Sequence, residues 1–199
     1  MSWLDTLEQI RTRDFTHVSK GERDRAARDV VNMCSYAVAA AAITPLPFVE
    51  AVVTLPVQLG MVMTVGHIYG RSTRKAEAKE LLVEIGAVAG VNFVARQGIK
   101  ALLPVLGALL TAPAAFGANW AIGRVAMEHF KNPGMAHDEL RKVYQAAAKE
   151  AGALFSRTNL EKFRKRHAQA RKAAPARRKA APGKKATPRR KKRRSGTKR

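Results

Sequence analysis

The chain carries one cysteine, Cys34, among 199 residues. An internal disulfide is therefore impossible, and the composition fits a reducing compartment. Acidic residues are scarce: 15 Asp or Glu stand against 37 Lys or Arg, for a formal charge of +22. Such a chain seeks anions, whether nucleic acid, anionic lipid or acidic protein. Period-two alternation of β-branched residues is missing, which excludes a sheet-based fold. A phosphate-binding glycine loop followed by Lys-Ser/Thr is also missing, as is a Cys/His cluster at metal spacing. The histidines (His17, His67, His129, His137, His167) fall on separate segments. No catalytic constellation emerges, so the expectation is a non-enzymatic protein without cofactor or metal. The opening MSWLDTLEQIRTRD is too polar for a signal-peptide core, and the chain is expected to stay in the cytoplasm.

What the chain does have is a long apolar centre. Ile43–Gly70 contains a single formally charged residue, Glu50. Pro45 and Pro47 end the helix arriving from Val30–Ala42, because proline lacks an N–H and disfavours α geometry in the residue before it. A helix then runs from Phe48 to Tyr69, with a kink at Pro56 or a register break one residue earlier, and Gly70 as its stop. This predicts a helical hairpin with Pro45, Pro47 and Glu50 at its tip. Glu50 in the first turn meets the positive end of the helix dipole as a cap. The alternative is a functional carboxylate in an apolar setting.

The motifs of this centre carry a resemblance. Pro45-Leu-Pro-Phe-Val-Glu50, Leu55, Gln58, Met61, Met63 and the closing Ile68-Tyr69-Gly70 are similar to those of the bacterial domain of unknown function 697 family. Leu102–Gly107 and Ala121–Phe130 continue the match, which spans roughly 30–130. The resemblance implies a helical domain associated with small GTPases or with membranes, and no known activity. This chain lacks the nucleotide domain of the GTPase-fused members.

Flanking segments read as further helices. Trp3, Leu4, Leu7 and Ile10 form one stripe of a short N-terminal helix, which either packs on the core or lies as an interfacial anchor with Trp3 at lipid headgroups. Ser19-Lys-Gly-Glu22 is a capping box for the next helix. After Gly70, Ser72 or Thr73 is the expected cap of a helix from about Arg74, where Gly86, Gly90 and Gly98 share a face suited to close packing. Ala101–Gly123 is 23 residues without charge, yet Pro104, Pro113 and its small residues make it a poor membrane span. A short helix over 98–103, a turn at Pro104 and a long helix to Phe130 are expected, ended by Asn132-Pro-Gly134. Two more helices follow from Met135, broken near Gly152 or Ser156–Thr158.

Residues Arg164–Arg199 hold 18 Lys or Arg and no acid, leaving the remainder at about +4. The clusters Arg177, Arg178 and Lys179, then Lys184 and Lys185, then Arg189, Arg190, Lys191, Lys192, Arg193 and Arg194 are spaced by Ala and Pro. This segment resembles the tails of linker histones and bacterial nucleoid-associated proteins. From Ala173 onward it lacks the apolar groups that offset ordering entropy, so disorder is expected.

The fold class expected is thus all-α, a compact antiparallel helical-hairpin domain rich in Ala and Gly contacts with a disordered basic tail. Its parts are an N-terminal helix (1–18), an apolar helical domain (19–131), C-terminal helices (135–163) and the polycation (164–199). The leading functional expectation is a binding protein whose tail engages nucleic acid without sequence preference, while the helices dock a partner, a second copy or a membrane. The alternatives are a membrane-associated protein gripping anionic lipid from the cytoplasmic side, and an accessory subunit of a GTPase. Localisation follows either way: cytoplasmic, at the nucleoid or at the inner face of the membrane. If Glu50 is only a cap, Glu50→Ala lowers stability by about 1 kcal/mol in a denaturant titration. An unchanged melting temperature with lost partner binding assigns Glu50 to function instead.

Overall fold

The computed structural model describes residues 3–43, 49–89 and 104–173. They form seven helices and, among these residues, no strand: α1 (Trp3–Thr12), α2 (Lys20–Ala42), α3 (Val49–Ile68), α4 (Lys75–Ala89), α5 (Pro104–Lys131), α6 (His137–Leu154) and α7 (Arg157–Ala173). The all-α expectation holds.

The starts of α2, α4 and α6 share one device. Ser19 accepts from the Glu22 N–H at 3.3 Å while Glu22 accepts from the Ser19 N–H at 3.2 Å, closing the predicted capping box. Glu77 accepts from the Arg74 N–H at 3.1 Å, and Glu139 from the Ala136 N–H at 3.2 Å. Each glutamate stands three residues after the cap, where it satisfies an orphan donor and complements the helix dipole. The expected Ser72 or Thr73 cap is therefore corrected. Arg74 supplies the first carbonyl of α4, bonded by the Ala78 N–H at 3.0 Å, and the Thr73 hydroxyl donates to Arg71 O instead.

Helix stops are also local. Gly70 sits at φ +77° and Gly134 at φ +93°, the left-handed region that glycine enters without a Cβ penalty. The expected turn at Pro104 is a helix start: α5 opens on this proline, whose missing N–H is harmless in a first turn. The short helix expected over 98–103 and the hairpin tip at Pro45 and Pro47 lie outside the described residues. α3 and α5 run on through Pro56 and Pro113.

Three helices make the centre. α2 and α5 are antiparallel, in contact at Asp24–Lys131, Ser35–Asn119 and Tyr36–Phe116. α3 runs alongside α5 in the same direction, joined to it by Met61–Asn119 and by the Phe130 ring near Gly66. Val30, Val31, Cys34, Met61, Val65, Phe116 and Trp120 fill the space between them, all at most 2% exposed. A second cluster, built on Val62, Ile85, Val125 and Leu140, seats α4 and α6 on α3 and α5.

The small-residue contacts are real but fall on different glycines from those the sequence singled out. Gly90 and Gly98 lie outside the described residues, and no described atom lies within 4 Å of a Cβ built on Gly86. A Cβ on Gly66 collides with the Thr73 hydroxyl, and one on Gly123 collides with the Val31 side chain. Gly123 thus fixes how near α2 lies to α5.

At the C-terminal side Tyr36 organises the join. Its hydroxyl donates to Leu154 O at 3.3 Å and accepts from the Ser156 N–H at 3.2 Å. Its ring stands 4.8 Å from Phe116, 6.3 Å from Phe155 and 6.2 Å from Phe163. The break at Phe155-Ser156 agrees with the sequence reading. α7 then continues through Arg164 to Ala173, so the cationic segment is helical at its start.

Gly123→Ala is expected to lower stability by about 1–3 kcal/mol in chemical denaturation, despite alanine's better helix propensity, because the β-branched Val31 has no free rotamer to yield. Adding Val31→Ala removes the collision, so the double variant loses less than the two single losses combined. Simple additivity in that cycle contradicts the close approach.

Candidate functional site

Antiparallel packing sorts the charges of α2, α3, α4 and α5 to one end of those helices. From Val30 to Gly70 only Glu50 is formally charged, and from Ile85 to Gly123 only Arg96 and Lys100. These stretches include the C-terminal half of α2, the whole of α3, the end of α4 and the first two thirds of α5. The opposite, polar end collects the start of α2, the α3–α4 connection, the end of α5 and the start of α6.

The polar end is held by a three-helix clamp. The Tyr69 hydroxyl donates to Asp24 Oδ1 at 2.6 Å, and Lys131 Nζ reaches Asp24 Oδ2 at 2.9 Å and Glu128 at 3.3 Å. Burial pushes the Asp24 carboxyl up, but the Tyr69 and Lys131 hydrogen bonds outweigh it and hold the carboxyl below its usual 3.8. Burial and the neighbouring Asp24 push the Tyr69 phenol upward, so it stays a donor. The Ile68-Tyr69-Gly70 close thereby divides its work among three residues. Ile68 is fully buried, Tyr69 clamps α3 to α2, and Gly70 turns the chain.

Beside the clamp lies an open cleft of about 390 Å³. Its lining brings the polar residues Arg71, Ser72, Thr73 and His129 together with apolar Leu81 and Phe130. Glu77, also in the lining, is held by Arg74 at 2.7 Å. No group of three His, Cys, Asp or Glu able to hold a metal ion occurs among the described residues.

The residues singled out from the sequence fare differently. Gly70 is in place as the stop of α3. Glu50 lies in the first turn of α3, with its side chain outside the described residues, as are Pro45 and Pro47. Arg177, Arg178, Lys179, Lys184, Lys185 and Arg189–Arg194 also lie outside them. Cys34 is fully buried, and burial pushes its thiol up to about 12, in keeping with a core residue. His67 is half-buried, its Nε2 2.8 Å from Arg13 O and its ring edge-on to Phe15 at 5.9 Å, the contacts of a packing histidine.

The sequence reading missed a polar layer within the core. Asn119 Nδ2 donates to Ser35 Oγ at 3.2 Å and approaches Met61 Sδ at 3.4 Å, while Ser35 donates to Val31 O at 2.7 Å. The Asn119 Oδ1 finds no described partner although the residue is 1% exposed. A lone asparagine in the Ala101–Gly123 apolar run was the available signal. The same reading put Leu4 on the buried stripe. α1 instead docks through Trp3, Leu7 and Ile10, and Leu4 points outward at 58% exposed.

Since Asp24 has a lowered carboxyl pKa, its contribution is present above pH about 4 and lost as pH falls through the folded value. Tyr69→Phe removes one donor and is expected to cost up to about 1.5 kcal/mol at pH 7, less if solvent replaces the bond, since the carboxylate is partly exposed. That difference from the unsubstituted chain should narrow on acidification to pH 3. Melting curves across the range check it, and a pH-independent gap contradicts the clamp.

No helix among the described residues is long and apolar enough to cross a membrane. Magnetosome membrane protein 22 of Magnetospirillum gryphiswaldense is similar to this chain, 24% identical over 151 residues that cover 70% of this chain and 77% of that protein. No solved structure matches. The family model described as a domain of unknown function (DUF697) matches residues 9–151, from α1 into α6 and across both the clamp and the polar core layer. The chain belongs to the DUF697 family.

Proposed function

We propose that this chain is a non-enzymatic, membrane-associated protein, held at the cytoplasmic face of an anionic bilayer by its C-terminal polycation. The observation that carries the reading is the segregation of charge. The family domain keeps long uncharged stretches at one end, and the 18 cations of Arg164–Arg199 follow it beyond the matched region. The membrane protein among its relatives supports the same assignment. Attachment rather than spanning fits the helices described.

The magnitudes are sufficient. A lysine or arginine close to an anionic leaflet contributes about 1 kcal/mol, so a third of the tail's cations, engaged together, gives about 6 kcal/mol and binding in the range of tens of micromolar. A segment this basic resists translocation, which keeps it on the cytoplasmic side. The same cations suit phosphodiesters of nucleic acid, where binding falls steeply with salt. Without aromatics in the tail, base stacking adds nothing to that competitor.

Vesicles and duplex DNA at about 0.15 M salt separate the two. The full chain is expected to sediment with phosphatidylglycerol-containing vesicles and not with pure phosphatidylcholine. A chain ending at Ala173, which keeps every described helix and loses 13 Lys and Arg, should bind at least tenfold more weakly. DNA added at equal phosphate concentration should leave most of the protein on the vesicles. Quantitative transfer to DNA overturns the membrane reading in favour of a nucleic-acid-binding protein.

A further inference from the structure

We infer that His167 is an acid-sensitive latch for the start of α1: its unprotonated Nδ1 pins the first turn to α7, and protonation releases that turn while the rest of α1 stays docked. The latch does not depend on the membrane reading above.

α1 is held at three levels by contacts of three kinds. At its start the Trp3 backbone N–H donates to His167 Nδ1 at 3.3 Å. In its middle Leu7 is buried against α3, its Cδ1 3.7 Å from where a Cβ on Gly60 would sit. Just past its end His67 Nε2 stands 2.8 Å from Arg13 O. The first N–H groups of a helix have no partner within it, and here an imidazole 164 residues away serves one of them.

A proton affects these contacts differently. An imidazole nitrogen accepts only through a lone pair, and in the imidazolium both nitrogens carry hydrogen. The Trp3 bond therefore ends when His167 protonates, because donor then faces donor. The Arg13 carbonyl only accepts, so His67 is the donor there, and a second proton on its ring leaves that bond in place. The Leu7 contact is apolar and indifferent to pH. Acid thus loosens the residues ahead of Leu7 and spares those after it.

The surroundings favour the neutral ring. His167 is half-buried, with the Phe163 ring 4.1 Å away. Burial, then the chain's amino terminus, then Arg166 hold its pKa below the ordinary 6.5. Of the elements packed around it, α1 carries the acids Asp5 and Glu8, neither of which acts on the ring, and α2 is without charge from Val30 onward. The folded state therefore prefers the unprotonated form. The latch is closed above pH 6.5 and is lost as pH falls through the lower folded value. Trp3 and His167 both lie outside the residues that the family model matches, so the device belongs to the two ends added around that domain.

The test is isotopic labelling of tryptophan nitrogen in the full chain, which contains only Trp3 and Trp120. Magnetic resonance then follows the two backbone amides as the pH is lowered from about 7.5 to about 5, the range in which histidine titrates. A Trp3→Phe variant identifies the signals. The Trp3 amide is expected to shift with a midpoint below 6.5 while Trp120 stays fixed. In the acid form it should exchange with water roughly two- to tenfold faster, beyond the ordinary pH dependence of exchange. His167→Asn, whose side-chain oxygen accepts without titrating, should keep the slow amide at every pH. His167→Ala should show the fast one already at neutral pH. A Trp3 amide that does not respond while the His167 ring protonates overturns the latch. So does a Trp3 amide that still titrates in His167→Asn. Trp120 moving together with Trp3 shows a general loosening of the bundle and overturns it as well.

Discussion

The near approach of α2 to α5 at Gly123 and Val31 is the constraint on which the rest of the structure depends. It sets the two longest helices at a separation that excludes a further methyl group. At that separation Ser35 and Asn119 can hydrogen-bond across the core, and the Tyr36 ring can pack tilted against Phe116. Sliding one helix by a turn would break these pairs and strand Asp24 from Lys131 at the far end. Buried polar groups are costly when unpaired, so the polar layer penalises the wrong register more than an apolar layer would. The position of α3 follows, because Met61 and Tyr69 read the same two levels.

Local signals in the sequence were sufficient for the elements and insufficient for their meeting points. Ser19 with Glu22, Gly70 and Asn132-Pro-Gly134 mark helix ends through chemistry within a few residues, and each lies where that chemistry puts it. The α4 start differs by one or two residues because a glutamate reaching back substitutes for a hydroxyl cap. Leu4 differs because Trp3, Leu4, Leu7 and Ile10 span more of the helix circumference than one neighbouring helix covers. The candidate site was less legible still. Asp24 with Tyr69 is a pair 45 residues apart, and Trp3 with His167 is 164 apart. No periodicity in a single sequence encodes such pairs.

Charge placement links the fold to its proposed use. An apolar helix pair that never faces water needs no sorting of its ends, and a soluble bundle usually spreads its charges around its outer faces. Here the sorting within α2–α5 runs lengthwise, so one end of those helices is closed by ionic contacts and their other end carries almost no charge of its own. A lengthwise division suits a molecule that stands at a boundary between water and something less polar. The family model spans this division and ends before α7 and the cations after it.

The fully buried Cys34 has a practical consequence. Its thiol sits between α2 and its neighbours, protonated at neutral pH, with no route to a reagent while the helices remain packed. Its alkylation rate therefore counts the openings of the bundle, and a saturating reagent turns that rate into a clock for how often α2 leaves the core. Because the sequence offers no other cysteine, the clock has a single hand.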